Sequence, residues 1–290
     1  KTITVPIIDD ILHEGDETVT LTLINVSNAT IQQGSAVLTI LENDPIPTFS
    51  IESAITVLEG QGTGSITVTL KDLSSHIVSV DVTATELANQ ALNGLDFAFS
   101  TQTLSWNIAE EGPKTVSFII LDDDIDEVPD ETFRFDLQNA VNGNIAQASG
   151  LVTILDDDLA PVIVASAVDT LESDGQATIS LTLVGGSNRD VSVDLVTQEG
   201  TATEGVDYLA FAQNITWLAG ETGLRTVNIT LQDDVEKEVT EDFLVLLQNV
   251  TNATLAQPNV QQNILDNDLL PVLSVKAATV NENAGTVDVT

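Results

Sequence analysis

The sequence predicts an all-β protein made of tandem β-sandwiches, each with seven strands and Greek-key connections, similar in plan to immunoglobulin domains. Three observations support this class: apolar residues alternate with polar ones, Gly, Asn and Asp clusters separate the alternating runs, and the whole pattern recurs along the chain. The alternating segments include ITVTL (66–70), ISLTL (179–183), VTLTL (19–23), FRFDL (133–137) and FLVLL (243–247). A period of two is typical of half-buried antiparallel strands, and no long helical pattern competes with it.

An acidic signature recurs directly after an apolar run and marks each copy of the repeat. It reads IIDDILHE at 7–14, ILDDDIDE at 120–127 and LQDDVEKE at 231–238. Each copy closes with an acidic tripeptide, which is END at 42–44, DDD at 156–158 and DND at 266–268. The two tryptophans, Trp106 and Trp217, occupy matching positions, and we expect them to pack in the core or at an edge of their repeats.

The spacing of the closing tripeptides predicts the domain boundaries. Asp44, Asp158 and Asp268 are separated by 114 and 110 residues, an interval that suits one β-sandwich. We therefore predict four segments: the C-terminal half of a repeat at 1–44, complete repeats at 45–158 and 159–268, and the N-terminal start of a further repeat at 269–290. The chain is expected to be part of a longer array.

The composition excludes several function classes. Among 290 residues, 45 Asp and Glu face only 8 Lys and Arg, a net charge of −37, while 42% of the residues are hydrophobic. The apolar content predicts a folded chain, and the charge opposes binding to nucleic acid or to an anionic membrane surface. The absence of cysteine excludes disulfides, thiolate nucleophiles and thiolate zinc sites. The sequence contains no run of 18 apolar residues, and it therefore predicts no membrane-inserted segment.

Carboxylates recur at fixed spacing in the acidic signature, as D-D-x-x-x-E-x-x-[E/D]. The residues are Asp9, Asp10, Glu14 and Glu17, then Asp122, Asp123, Glu127 and Asp130, then Asp233, Asp234, Glu238 and Glu241. Two like charges ~4 Å apart repel by ~4 kcal/mol at an effective dielectric constant of ~20, so such a loop either spreads into water or holds a cation. A solvated acidic face of a salt-adapted protein needs charge but does not need this spacing. Ca²⁺, which takes six to eight oxygen ligands, suits the pattern better than Mg²⁺.

One loop does not supply a full coordination shell, and further acids recur in register elsewhere in the repeat. They are Glu59 and Glu172 near the start, Asp96 and Asp207 in the middle, and Glu42, Asp44, Asp156, Asp157, Asp158, Asp266 and Asp268 at the end. In a β-sandwich, loops from these positions can reach the same pole. The sequence therefore predicts Ca²⁺ sites at that pole of each repeat.

A set of motifs resembles the Calx-β domain, a family known from sodium/calcium exchangers, an integrin subunit and large bacterial surface proteins. The motifs are GTATEGVDY (200–208), LAGETGLRTVNI (218–229), DDVEKEVTEDF (233–243) and the closing DND. The resemblance implies Ca²⁺ ligands from the early Glu, from the Asp that precedes an aromatic residue, from the acidic loop with a carbonyl of Ile125 or Glu236, and from the closing tripeptide. In the copy 45–158, Asp130 stands where the family has Glu, and Glu131 is a possible substitute.

The function that these features favour is a calcium-binding structural array of an extracellular or cell-surface protein, such as an adhesin, fibre or surface-layer stalk. Because each closing tripeptide lies only a few residues before the next repeat, Ca²⁺ there is expected to stiffen the junction with the neighbouring repeat. Edge strands rich in Thr and Val suggest lateral or end-to-end self-association into a fibre.

Three alternatives belong to other classes. One is a Ca²⁺-sensing regulatory module attached to a transporter or signalling protein. Another is a cadherin-like array, suggested by ENDPIPTF (42–49), although GVDY and GET belong to Calx-β. A pair of carboxylates can also serve a glycosidase, but an active site is rarely repeated at every junction and aromatic residues make up only 4% of the chain. We therefore expect no enzymatic activity.

Overall fold

The computed structural model describes residues 1–88 and 90–289, and it confirms the all-β sandwich class. This part of the chain contains β-strands and three short 3₁₀ turns, Glu59–Gln61, Glu172–Asp174 and Glu282–Ala284. None of its helical segments has the length and apolar character needed to cross a bilayer. The chain divides into two compact units, one formed by residues 1–123 and 127–157 and the other by residues 124–126 and 158–290.

The N-terminal segment 1–44 contributes a two-stranded sheet and one short strand. Its strands are β1 (Leu12–His13), β2 (Glu17–Thr22) and β3 (Ser35–Ile40). Strands β2 and β3 pair antiparallel, with Glu17 opposite Ile40. The alternating residues Val19, Leu21 and Val37 remain exposed, because these two strands have no second sheet to pack against among the described residues.

The segment 45–158 forms a two-layer sandwich around one core. Its strands are β4 (Thr48–Ile51), β5 (Ala54–Leu58), β6 (Thr63–Lys71), β7 (Leu73–Ser74), β8 (Val78–Glu86), β9 (Phe97–Ala98), β10 (Gln102–Trp106), β11 (Gly112–Ile120), β12 (Ile125–Asp126), β13 (Glu131–Val141), β14 (Asn144–Gln147) and β15 (Ser149–Leu155). One sheet has the order β10-β8-β13-β15-β5 and the other has the order β14-β4-β6-β11-β9. Strand β1 pairs in parallel with β7.

The segment 159–268 repeats this plan. Its strands are β16 (Val162–Ala167), β17 (Thr170–Leu171), β18 (Gln176–Val184), β19 (Gly186–Ser187), β20 (Val191–Glu199), β21 (Ala212–Trp217), β22 (Gly223–Thr230), β23 (Glu241–Thr251), β24 (Thr254–Leu255) and β25 (Asn259–Leu265). The sheets have the orders β22-β18-β16-β24 and β17-β25-β23-β20-β21. Strand β12 pairs in parallel with β19 inside the second compact unit.

Each repeat has more strands than the expected seven, partly because its first strand crosses from one sheet to the other. In the repeat 45–158 the break falls between β4 and β5, where the carbonyl of Glu52 passes over Gly150; a Cβ atom on Gly150 would lie 2.2 Å from that oxygen. In the repeat 159–268 the break falls between β16 and β17. There the buried Gln262 side chain donates a hydrogen bond to the carbonyl of Val168 at 2.8 Å.

The cores confirm the expected packing of both tryptophans. Trp106 and Trp217 are 1% and 0% exposed, and each indole Nε1 donates to a glycine carbonyl at 3.0 Å, that of Gly112 and that of Gly223 respectively. The tryptophans therefore bury their rings without leaving the indole N–H unpaired.

Candidate metal centre

Carboxylates converge at two places in each complete repeat. In each group of three, one oxygen per side chain lies within 4.8 Å of the others. The groups are Glu59, Asp156 and Asp158, then Asp96, Glu127 and Glu131, then Glu172, Asp266 and Asp268, and finally Asp207, Glu238 and Glu241. Ligand oxygens that share one Ca²⁺ at ~2.3–2.6 Å can be separated by at most ~5 Å, so each group has the dimensions of a shared ion.

Strand pairing explains the first group in each repeat. Strands β5 and β15 are parallel, with Leu58 opposite Leu155, so that Glu59 and Asp156 leave the same edge of the sheet side by side. Strands β17 and β25 are also parallel, with Leu171 opposite Leu265, and this places Glu172 beside Asp266 in the same way. Both early glutamates begin a 3₁₀ turn and are only 4% exposed.

An aromatic stack positions the second group of the repeat 45–158. Asp96 directly precedes Phe97, whose ring stacks on Phe133 with centroids 3.7 Å apart. Phe133 lies in β13, the strand that begins at Glu131. The carbonyl of Asp96 accepts a hydrogen bond from Leu121 N at 2.9 Å, which ties this loop to the start of the acidic signature. The buried rings therefore fix the distance between Asp96 and Glu131.

The repeat 159–268 uses the same device. Tyr208 follows Asp207, and its ring stacks on Phe243 with centroids 4.3 Å apart. The carbonyl of Asp207 accepts a hydrogen bond from Gln232 N at 2.9 Å. Strand β23 begins at Glu241, the third member of this group. The four carboxylate groups thus form two equivalent pairs, and the members of each pair have the same local contacts in the two repeats.

Glu131 and not Asp130 joins Asp96 and Glu127. Glu131 begins β13 opposite Ile154, and Glu241 begins β23 opposite Ile264, so these two glutamates are the structural equivalents. The loop that starts at Glu127 is therefore one residue longer than its counterpart, and Asp130 falls in that insertion. The one-residue insertion is visible in the sequence. Phe133 and Phe243 are 110 residues apart, whereas the equivalent aspartates Asp122 and Asp233 are 111 residues apart.

Asp122 and the middle closing residues Asp157 and Asn267 lie beside the first group of their repeats. A Cβ atom on Gly60 would lie 2.9 Å from Asp157 Oδ2 and 3.6 Å from Asp122 Oδ1. Both side chains therefore lie beside Gly60, the residue that follows Glu59. Gly60 N donates to Asp157 Oδ1 at 3.3 Å, and in the other repeat Ser173 N donates to Asn267 Oδ1 at 3.2 Å. Asn267 therefore keeps the contact of Asp157 without its charge.

Like charges crowd the second group of the repeat 45–158. Burial and the neighbouring Glu131 carboxylate raise the pKa of Glu127 to about 8. Burial and Asp96 raise the pKa of Glu131 to about 7, and Asp123 adds to both shifts. A cation would relieve this repulsion, because a positive charge favours the ionised form of each carboxyl group.

The other complete repeat shows the same direction of shift. Burial and a hydrogen bond with Asp207 raise the pKa of Glu241 to about 7. Burial, followed by the charge of Asp207, raises the pKa of Glu238. Burial, followed by the charges of Asp268, Asp233 and Asp234, raises the pKa of Glu172. Predicted residues from the start, middle and end of the repeat therefore act on one another electrostatically.

The side chains present fit Ca²⁺. All donors are hard oxygen atoms, three of them approach within 4.8 Å in each group, and they carry a large excess of negative charge. Two buried carboxylate oxygens, Glu131 Oε2 and Asp268 Oδ2, have no hydrogen-bond partner among the described residues. A buried oxygen of this kind is costly unless a partner such as an ion satisfies it.

The segment 1–44 arranges its acids differently. Asp9, Asp10, Glu14, Glu17, Glu42 and Asp44 line one concave pocket. The Glu42 carboxylate accepts hydrogen bonds from the backbone N–H groups of Asp44, Glu14, Gly15 and Asn43. These donors, Asp44 first, lower the pKa of Glu42 to about 2. No group of three convergent carboxylates occurs in this segment among the described residues.

The family model of the Calx-beta domain matches three successive stretches of the chain, residues 1–44, 42–158 and 162–269. The chain belongs to the Calx-β family. Calx-β domains bind Ca²⁺, in agreement with the carboxylate groups described above. In this chain Calx-β repeats follow one another in tandem, and all four convergent groups lie inside the two longer matches.

Solved Calx-β structures are similar to parts of this chain. The apo form of the Calx CBD1 domain is 23% identical, and the match covers 38% of this chain and 100% of that domain with a TM-score of 0.36. CBD12 from CALX1.2 and the calcium binding domain CBD12 of CALX1.1 are both 23% identical over 71% of this chain. They are covered to 82% and 81%, with TM-scores of 0.36 and 0.35.

Proposed function

We propose that this chain is a calcium-binding structural array of an extracellular or cell-surface protein, in which Ca²⁺ at the ends of the repeats stiffens their junctions. One observation carries the proposal. The closing acids Asp156 and Asp158 belong to the same oxygen group as Glu59, and β16 of the next repeat begins at Val162, only four positions after Asp158. A short connection that is itself part of an ion site has little freedom once the ion is bound.

The charge of the chain supports an extracellular setting. Modules of extracellular proteins bind Ca²⁺ with Kd values of ~10⁻⁴–10⁻³ M, so that millimolar Ca²⁺ fills them. With a net charge of −37, the chain repels itself strongly when no cations are bound. We propose adhesins, fibres and surface-layer stalks as the setting, with neighbouring repeats and further copies of the chain as partners.

Small-angle scattering and a Ca²⁺ titration of the 290-residue chain test this proposal. In chelator we expect a broad range of shapes, and in millimolar Ca²⁺, but not in equal Mg²⁺, a longer and stiffer particle. The Glu59→Gln variant should lose most of this response. Glu52→Gln, which removes an exposed carboxylate outside all four groups, is the matched control.

The titration also separates the two candidate functions. Half-saturation between ~10⁻⁴ and 10⁻³ M supports the structural array. Half-saturation between ~10⁻⁷ and 10⁻⁵ M would favour the Ca²⁺-sensing module, because that is the range of intracellular sensors. A particle whose shape ignores Ca²⁺ would overturn the proposal that the ion stiffens the junctions.

A further inference from the structure

The residue that precedes the first glutamate of the acidic loop differs in charge between the copies. Lys237 precedes Glu238, whereas Asp126 precedes Glu127 at the same distance from the paired aspartates. In the N-terminal segment this position is His13. The loop therefore carries a cationic side chain at this position in one complete repeat and an anionic one in the other.

Lys237 contacts one of the candidate metal ligands directly. Its Nζ forms an ion pair with Asp266 Oδ2, and it donates a hydrogen bond to the carbonyl of Glu238 at 3.2 Å. The Asp266 side chain is 5% exposed and belongs to the group formed with Glu172 and Asp268. The ammonium therefore lies on a buried carboxylate that would otherwise face a metal ion.

Asp126 has different contacts from Lys237, although the two residues occupy matching positions. Its carboxylate is 3.5 Å from Arg189 Nη2, and its backbone carbonyl accepts a hydrogen bond from Asn188 N at 3.1 Å. Because Asp126 is itself an acid, position 126 supplies no positive charge to Glu59, Asp156 and Asp158.

A second difference acts in the same direction. Asn267 replaces Asp157 and keeps its hydrogen bond to the backbone of the 3₁₀ turn. At the site of the repeat 159–268, Lys237 adds one positive charge and Asn267 removes one negative charge relative to Asp157, so that this site is less negative by two charges than its counterpart in the repeat 45–158. Ca²⁺ affinity depends on the number of charged ligands, so this site needs less divalent charge to be neutralised.

We propose that Lys237 is a built-in cation that takes the place of one Ca²⁺ at the group formed by Glu172, Asp266 and Asp268. This inference rests on the proposed function, in which the other carboxylate groups of the repeats hold Ca²⁺. The repeat 159–268 consequently binds one Ca²⁺ fewer than the repeat 45–158, and it keeps its closing segment in place when Ca²⁺ is scarce. The tethered ammonium is present at all Ca²⁺ concentrations, whereas an ion is present only above its Kd.

Counting bound Ca²⁺ per 290-residue chain by equilibrium dialysis at saturation tests this inference. The Lys237→Gln variant should bind one more Ca²⁺ than the wild type, and the midpoint of Ca²⁺-free unfolding of the repeat that contains Trp217 should fall. Lys237→Arg keeps the charge and should behave like the wild type. Lys71→Gln, which removes an exposed lysine at the end of β6, is the control for net charge.

The outcomes separate the two proposals. If the wild type binds Ca²⁺ and Lys237→Gln binds the same number with no change in Ca²⁺-free stability, the inference about Lys237 is overturned and the Ca²⁺ sites stand. If the wild type binds no Ca²⁺, both fail. Far-ultraviolet circular dichroism in saturating Ca²⁺ checks that the variant is folded when its ions are counted.

Discussion

In the repeat 45–158 the acidic loop passes from Glu127 to Glu131 with three residues between them, and in the repeat 159–268 it passes from Glu238 to Glu241 with two. The structure around both loops is the same. A parallel strand pair places two acids at one edge of the sheet, and a stacked aromatic pair positions an acid of the second group. The charges of the two loops differ, because only the loop of the repeat 159–268 contains a lysine that forms an ion pair with a closing aspartate. Carboxylate geometry and charge compensation are therefore set by separate residues.

Removal of Ca²⁺ should produce the largest difference between the repeats. A ligand at ~100 times its Kd adds ~2.7 kcal/mol to the stability of the state that binds it, or about 10 °C or more for a domain of this size. Because the loop of the repeat 45–158 has Asp126 where the other repeat has Lys237, it supplies no positive charge to its closing aspartates, and we expect the unfolding midpoint of this repeat to rise more with Ca²⁺. Trp217→Phe leaves Trp106 as the only fluorescent reporter of this repeat, and Trp106→Phe leaves Trp217 for the other. Equal shifts in the two variants would contradict the comparison.

The first strand of each repeat crosses between the sheets with a different supporting contact, so a different substitution should destabilise each repeat. Gly150→Ala drives a Cβ atom into the Glu52 carbonyl and should cost ~1–3 kcal/mol in the repeat 45–158. Gln262→Ala leaves the Val168 carbonyl unpaired and should cost ~1–3 kcal/mol in the other repeat. Denaturant unfolding with the single-tryptophan reporters checks both. A substitution that destabilises both repeats equally would show that the effect is not local.

The extra residue in the loop places two acids, Asp130 and Glu131, side by side, and their substitutions can be compared directly. Glu131→Gln removes a carboxylate from the group with Asp96 and Glu127, and we expect Ca²⁺ affinity in that repeat to fall about tenfold, a loss of ~1.4 kcal/mol. Asp130→Asn removes the same charge from the neighbouring residue and should have a smaller effect. Calorimetric titration measures both affinities. The reverse order would restore Asp130 as the ligand that the ungapped sequence motif predicts.

The pH dependence without Ca²⁺ should be the smallest effect. The pKa of Glu127 is raised from 4.5 to about 8 in the folded chain, and that of Glu131 to about 7. Between these values and 4.5 the folded state binds protons that the unfolded chain has released, so stability must decrease as the pH rises from about 4.5 to 8. Thermal unfolding in chelator at pH 5 and pH 8 should show midpoints a few degrees lower at pH 8. A midpoint that rises with pH would contradict the raised pKa values.

Much of this architecture is predictable from the sequence because its signals are periodic. Alternating residues predict the strands, and the recurrence of D-D-x-x-x-E predicts which acids are equivalent. The choice between Asp130 and Glu131 is not predictable from an ungapped motif, because it depends on where β13 starts to pair with β15. The ion pair of Lys237 with Asp266 depends on two positions that are 29 residues apart and meet only in the folded repeat.

The parallel pairing of first and last strands has a mechanical consequence. Tension along the chain pulls β5 and β15 in opposite directions and loads all their hydrogen bonds together in shear, so that no single bond can open first. This pairing spans five residue pairs in the repeat 45–158, from Ala54 opposite Leu151 to Leu58 opposite Leu155. Between β17 and β25 it spans only two pairs. Under a stretching force, the repeat 159–268 should yield first and act as the extensible element beside a more resistant neighbour.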